Sequence, residues 1–78
     1  KSKPGEIGAP LQGMLSKILV KKGQQVRKNE PLFIIEAMKM ETTVTAQSEG
    51  TISELILPAK TAVMSEDLIL MLDFFKNL

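Results

Sequence analysis

The chain contains no cysteine, no histidine, no tryptophan and no tyrosine, and each absence removes a class of chemistry. Without cysteine there is no disulfide framework, no thiolate nucleophile and no zinc ribbon. Without histidine the commonest general base and the commonest transition-metal ligand are gone, so neither a Ser-His-Asp nor a Cys-His relay can be assembled. Three phenylalanines are too few to stack single-stranded bases. Ten Lys+Arg against nine Asp+Glu leave a net charge of +1, without the basic excess of a nucleic-acid or acidic-membrane surface. The longest apolar run, Leu68 to Leu72, is far short of a membrane span. Neither a catalytic set nor a metal site is expected, and neither nucleic acid nor membrane is an expected partner.

What is present describes one small domain. Seventy-eight residues leave room for a single, thin core. Lys1 to Glu6 reads as a polar linker, not a signal peptide, and the missing initiator Met points to a piece of a longer chain. Alone, the piece is expected to be a monomer. The lack of cysteine fits a reducing compartment, cytoplasmic or, in a eukaryote, the mitochondrial matrix.

An internal repeat organises the sequence. Shifted by 37 positions, Gly13-Met14-Leu15-Ser16-Lys17-Ile18-Leu19-Val20 falls on Gly50-Thr51-Ile52-Ser53-Glu54-Leu55-Ile56-Leu57. Ala9 meets Ala46, Val26 meets Val63, and Leu32-Phe33-Ile34-Ile35-Glu36 meets Ile69-Leu70-Met71-Leu72-Asp73. Few pairs are identical, but apolar and turn positions keep step without a gap. Two equivalent halves sharing one core are expected.

Each half reads as strands. Short apolar segments rich in Ile, Leu, Val and Thr are bounded by Gly, Pro, Asn or Gln, and period two is visible from Thr42 to Ala46 and from Thr51 to Leu55. Pro31 and Pro58 interrupt any helical reading. Strands are predicted at 7–9, 14–20, 25–27, 32–37, 40–46, 51–57, 62–64 and 68–72. Eight short antiparallel strands predict an all-β sandwich or flattened barrel.

Between the halves lies Glu36-Ala37-Met38-Lys39-Met40-Glu41. A strand ending at Ala37 and another starting at Met40 leave only Met38-Lys39 for the reversal, a two-residue hairpin loop. Such a loop favours Gly, Asn or Asp, so Met-Lys breaks a local rule, and such breaks gather at functional positions. From the residues alone two readings stand: an ordinary solvated turn lysine, or a projecting tip that a partner grips by its methionines.

This stretch resembles the biotin-attachment motif of the biotinyl carrier domain family. Ala9-Pro10-Leu11-Gln12-Gly13 and Val20-Lys21-Lys22-Gly23-Gln24-Gln25-Val26 resemble two further segments of that family, so the similarity covers residues 7–73. The resemblance implies a flattened eight-stranded barrel-sandwich of two related halves. It divides the chain into a linker (1–6), a carrier domain (7–73) and a C-terminal tail (74–78). Lys39 would be biotinylated by a biotin protein ligase that reads Glu36, Ala37, Met38 and Met40. The biotin arm would carry CO2 as carboxybiotin from a biotin carboxylase site to a carboxyltransferase site, the carrier itself being non-catalytic. Among such enzymes the resemblance is greatest to the C-terminal domain of pyruvate carboxylases, which make oxaloacetate from pyruvate with ATP. Carriers of acyl-CoA carboxylases and decarboxylases are the alternatives. A lipoyl carrier, whose motif places an acidic residue before the lysine, and an unmodified interaction module stand further off. The sequence departs from the family pattern at Leu11 and Gln12, and where Asn29, Lys60 and Glu66 replace turn glycines; a residue other than Gly forced into a left-handed conformation there costs about 1–2 kcal/mol, less for Asn.

A lysine amine in water is almost wholly protonated at pH 7, whereas acylation needs the neutral form. Glu36 and Glu41, if close, favour the charged form. Activation is therefore expected to come from the ligase, not from this chain.

Overall fold

With Pro31 and Pro58 interrupting any long helix, the described residues fold through strand pairing. The computed structural model describes residues 5–74, all in strands, turns and short connections. The strands are β1 (Glu6–Gly8), β2 (Gly13–Ile18), β3 (Gln25–Val26), β4 (Pro31–Ala37), β5 (Met40–Thr45), β6 (Gly50–Leu55), β7 (Thr61–Val63) and β8 (Leu68–Phe74). They form two four-stranded sheets, ordered β1-β8-β6-β3 and β5-β4-β2-β7, with every neighbouring pair antiparallel. Each sheet draws two strands from each half of the sequence, so neither half completes a sheet by itself.

The inner faces follow the apolar alternation of the strands. Leu15, Leu32, Phe33 and Ile35 from the first half are fully buried, as are Ile52, Ile69 and Leu70 from the second. Each first-half member has its counterpart 37 positions on: Leu15 with Ile52, Leu32 with Ile69, Phe33 with Leu70, and Ile35 with the buried Leu72. Ala9 and Ala46, likewise 37 positions apart, are buried in the same core. No buried side-chain polar atom among the described residues lacks a hydrogen-bond partner, and the interior is apolar throughout.

All eight predicted strands are present, with displaced ends. The expected run 14–20 stops at Ile18: Leu19 still donates its amide to the Leu32 carbonyl (2.8 Å), and the chain then turns Val20 into the core outside any ladder. Burial there extends the apolar pattern beyond the strand. β1 also starts one residue earlier than expected, and β8 runs two residues further. Glu6 belongs to β1, opposite Met71, and Asp73 and Phe74 extend β8 by pairing with Thr51 and Gly50. Their polarity or terminal position concealed ladder partners that lie far away in sequence. Residues 1–4 and 75–78, the remainder of the expected linker and tail, lie outside the described residues.

Candidate functional site

β4 and β5 pair from Pro31↔Thr45 to Ala37↔Met40, leaving Met38 and Lys39 as the whole connection. Both have positive φ, 51° at Met38 and 67° at Lys39. That combination is the primed turn whose twist matches an antiparallel hairpin and which normally selects Asn-Gly. Placing two residues with Cβ atoms there costs about 1–2 kcal/mol each. The β4–β5 ladder, in unbroken register from Phe33↔Val44 to Ala37↔Met40, holds the strained turn in place.

The tip is open on every side. Met38, Lys39, Met40, Glu36 and Glu41 are all exposed, and Ala37 is half-buried. The Lys39 side chain makes no hydrogen bond or ion pair with another described residue. Glu36 and Glu41 stand directly opposite each other across the ladder, a like-charge juxtaposition that disfavours the hairpin slightly. The five residues expected to form the site, Glu36, Ala37, Met38, Lys39 and Met40, therefore lie together on one hairpin end.

Two features beneath the tip were not anticipated from sequence. Gly13, at the start of β2, lies under the end of β4: a Cβ there would stand 2.6 Å from the Glu36 carbonyl oxygen and 3.1 Å from the Ala37 Cβ. Any larger residue would push the hairpin base outward. Beside it an open, mainly apolar recess of about 570 Å³ is lined by Leu11, Gln12, Gly13, Glu36, Ala37 and Met38. The recurrence of glycine at 13 and 50 was the available signal for the first feature. No local pattern marks the second, whose two lining segments are separated in sequence by most of β2, β3 and β4.

The chemistry available here is that of a presented amine. No histidine or second amine stands on the Lys39 hairpin, whose other ionisable side chains are those of Glu36 and Glu41, both exposed. Among the described residues no group of three potential metal ligands comes together. The Asp67 carboxylate is occupied structurally, accepting the Met64 amide at 2.8 Å. An exposed lysine on a two-residue loop, its stem free of side-chain partners, fits covalent loading with an acyl group.

Residues 5–72 match the family described as biotin-requiring enzyme. The chain belongs to that family. Over 70 residues it is 43% identical to the mitochondrial pyruvate carboxylase of Mus musculus, a match covering 90% of this chain and 6% of that protein. Among solved structures, the lipoyl domain of the 2-oxoglutarate dehydrogenase complex from Azotobacter vinelandii superposes with a TM-score of 0.77 at 27% identity, over 88% of this chain and 95% of that one. A single-chain, multi-domain long-chain acyl-CoA carboxylase gives a TM-score of 0.86 at 21% identity, covering 96% of this chain and 8% of that chain, a likeness of fold alone. This member of the biotin-requiring enzyme family is thus an all-β barrel-sandwich carrier domain, and its covalently attached cofactor is biotin. It spans a small fraction of the pyruvate carboxylase that it matches.

Proposed function

We propose that this domain carries biotin on Lys39 as a mobile carboxyl carrier within a larger biotin-dependent carboxylase of the pyruvate carboxylase kind. The observation that carries the reading is the Met38-Lys39 turn: positive φ at both positions presents one exposed lysine at the end of the β4–β5 hairpin. The biotin family match and the identity to a pyruvate carboxylase support it. Attached biotin supplies a ureido ring that accepts and gives up a carboxyl group. The protein's own contribution is mechanical. β4 and β5 hold the attachment nitrogen beyond the barrel, and Met38 and Met40 offer a biotin protein ligase apolar grips. Tethering then raises the arm's effective concentration at a biotin carboxylase site and at a carboxyltransferase site. Acylation also removes the Lys39 positive charge from the tip. The domain works as a monomeric module of its parent, in the cytoplasm or the mitochondrial matrix, where a chain without cysteine is at home.

The test is intact mass after incubation with biotin, ATP and a biotin protein ligase. The chain gains one biotinyl group, and Lys39→Arg, which keeps the charge but offers no acylable amine, gains none. No gain by the folded original chain rejects the biotin assignment. The lipoyl domain among the structural neighbours makes lipoate ligase the next enzyme to try.

A further inference from the structure

With cysteine, histidine, tryptophan and tyrosine all absent, methionine is the side chain of this molecule most open to peroxide oxidation. The five methionines are unequally placed. Met71 is half-buried in β8, and Met14 and Met64 are 40% and 58% exposed. Met38 is 94% exposed and Met40 71%, the two most exposed of the five, and they are the immediate neighbours of Lys39. Neither belongs to the hydrophobic core nor packs against it. Oxidant therefore reaches the attachment tip before it reaches anything that holds the fold together.

We infer that Met38 and Met40 form a methionine-sulfoxide switch that controls loading of Lys39, an inference that rests on the biotin-carrier reading. A thioether sulfur takes one oxygen from a peroxide: the S–O bond forms as the O–O bond breaks, the sulfur is oxidised, and the other oxygen leaves as water. Hydrogen peroxide is the only co-reactant needed. The product replaces a flexible apolar side chain with a polar, chiral one. A ligase that desolvates two methionines beside the lysine loses that burial and must strip water from two sulfoxides. Losing the burial of even one methionine weakens recognition by roughly tenfold or more. Because both side chains lie outside the core, the folded barrel persists while its tip becomes a poor substrate.

The experiment treats the domain with hydrogen peroxide, removes the excess with catalase, locates sulfoxides by peptide mass mapping, and then follows biotin transfer by the ligase. Met38 and Met40 are expected to oxidise first, the unfolding temperature to stay unchanged, and the initial rate of transfer to fall at least about tenfold. Methionine sulfoxide reductases acting on both epimers restore the rate. Met14→Leu/Met64→Leu/Met71→Leu retains the full sensitivity. In Met38→Leu/Met40→Leu the ratio of treated to untreated rate stays near one, whatever its starting rate. A domain oxidised at Met38 and Met40 that still loads at the untreated rate overturns the switch and leaves the carrier reading intact. So does a sensitivity that disappears with Met14, Met64 and Met71. Failure of the untreated domain to take biotin rejects the carrier reading, and the switch with it.

Discussion

Residues 13–18 and 50–55 build the same strand twice, as do 31–37 and 68–74, and the halves correspond down to their irregularities. The ladder of β2 with β4 shifts register between Leu15 and Lys17, and that of β6 with β8 between Ile52 and Glu54, in each case 37 positions apart. Arg27 donates its amide to the Glu30 carboxylate at 3.0 Å, and Met64 does the same to Asp67 at 2.8 Å. Left-handed backbone recurs too: Gly23 has φ 87° and Lys60 72°, Asn29 has 72° and Glu66 74°. Side-chain chemistry has diverged at these places and geometry has not. Strain at Lys60 and Glu66 is thus imposed by the fold, which asks for the same turn in both halves. Strain at Met38 and Lys39 is of another kind: it belongs to a tight two-residue loop that normally selects Asn-Gly.

The glycines that open β2 and β6 provide the severest test of equivalence. A Cβ at Gly13 would meet the Glu36 carbonyl oxygen, and one at Gly50 would meet that of Asp73, the matching residue. Both obstacles are backbone, which cannot swing aside, so Gly13→Ala and Gly50→Ala should each destabilise by about 2–3 kcal/mol, read as a lower denaturant midpoint. Only Gly13→Ala should also slow biotin transfer, because only its ladder ends in the Lys39 hairpin. Equal slowing by both would show that general loosening, not hairpin position, controls loading.

The turn comes next. Met38→Asn/Lys39→Gly installs the pair that a primed turn prefers, and it should raise stability by about 1–2 kcal/mol while removing the acceptor amine. A rise in unfolding temperature would show directly that the tip exchanges stability for presentation. An unchanged midpoint would mean that β4 and β5 accommodate the two left-handed residues without strain.

A smaller effect separates fold-imposed strain from accident. Lys60→Gly should stabilise by about 0.5–1 kcal/mol, relief of the left-handed backbone being partly offset by the greater freedom of glycine in the unfolded chain. Gly23→Lys should destabilise by a similar amount. Nothing lies within 4 Å of a Cβ at Gly23, so its cost is purely conformational. The two changes together should nearly cancel. A large residual would show that the halves, alike in backbone, differ in what surrounds the turn.

Much of this was legible in the sequence because it rests on local, repeated signals. The offset of 37, the alternation from Thr51 to Leu55 and the two-residue gap between Ala37 and Met40 are visible without coordinates, and they located the strands and the hairpin. Less legible were features set by partners distant in sequence. Asp73 and Phe74 read as lying beyond the last strand because their ladder partners, Thr51 and Gly50, lie across the barrel. Val20 read as strand because burial and strand pairing leave the same apolar mark. Gly13 was recognised as a repeated position, but its closeness to Glu36 and Ala37 depends on how β2 meets β4. At the tip, the six-residue motif gave the residues, and the backbone angles supplied the reason that Met-Lys in that turn is costly.

The smallest effect concerns the carboxylates at the hairpin base. Glu36 faces Glu41 across β4 and β5, and Met14 on β2 occupies the next position along the same row. In the other half Asp73, the match for Glu36, faces Thr51, the match for Met14, so that row contains no second glutamate opposite it among the described residues. The like-charge pair is thus peculiar to the lysine hairpin. Glu41→Lys converts it into an opposite-charge pair and should stabilise by roughly a few tenths of a kcal/mol, an advantage that shrinks as salt is added because both groups are exposed. Asp73→Lys, made at the counterpart of Glu36, the other member of the pair, relieves no like-charge pair and should show no comparable gain. If Glu41→Lys gains stability and biotin transfer slows, the acidic pair serves the ligase; if transfer is unchanged, the paired glutamates are a tolerated flaw of the tip.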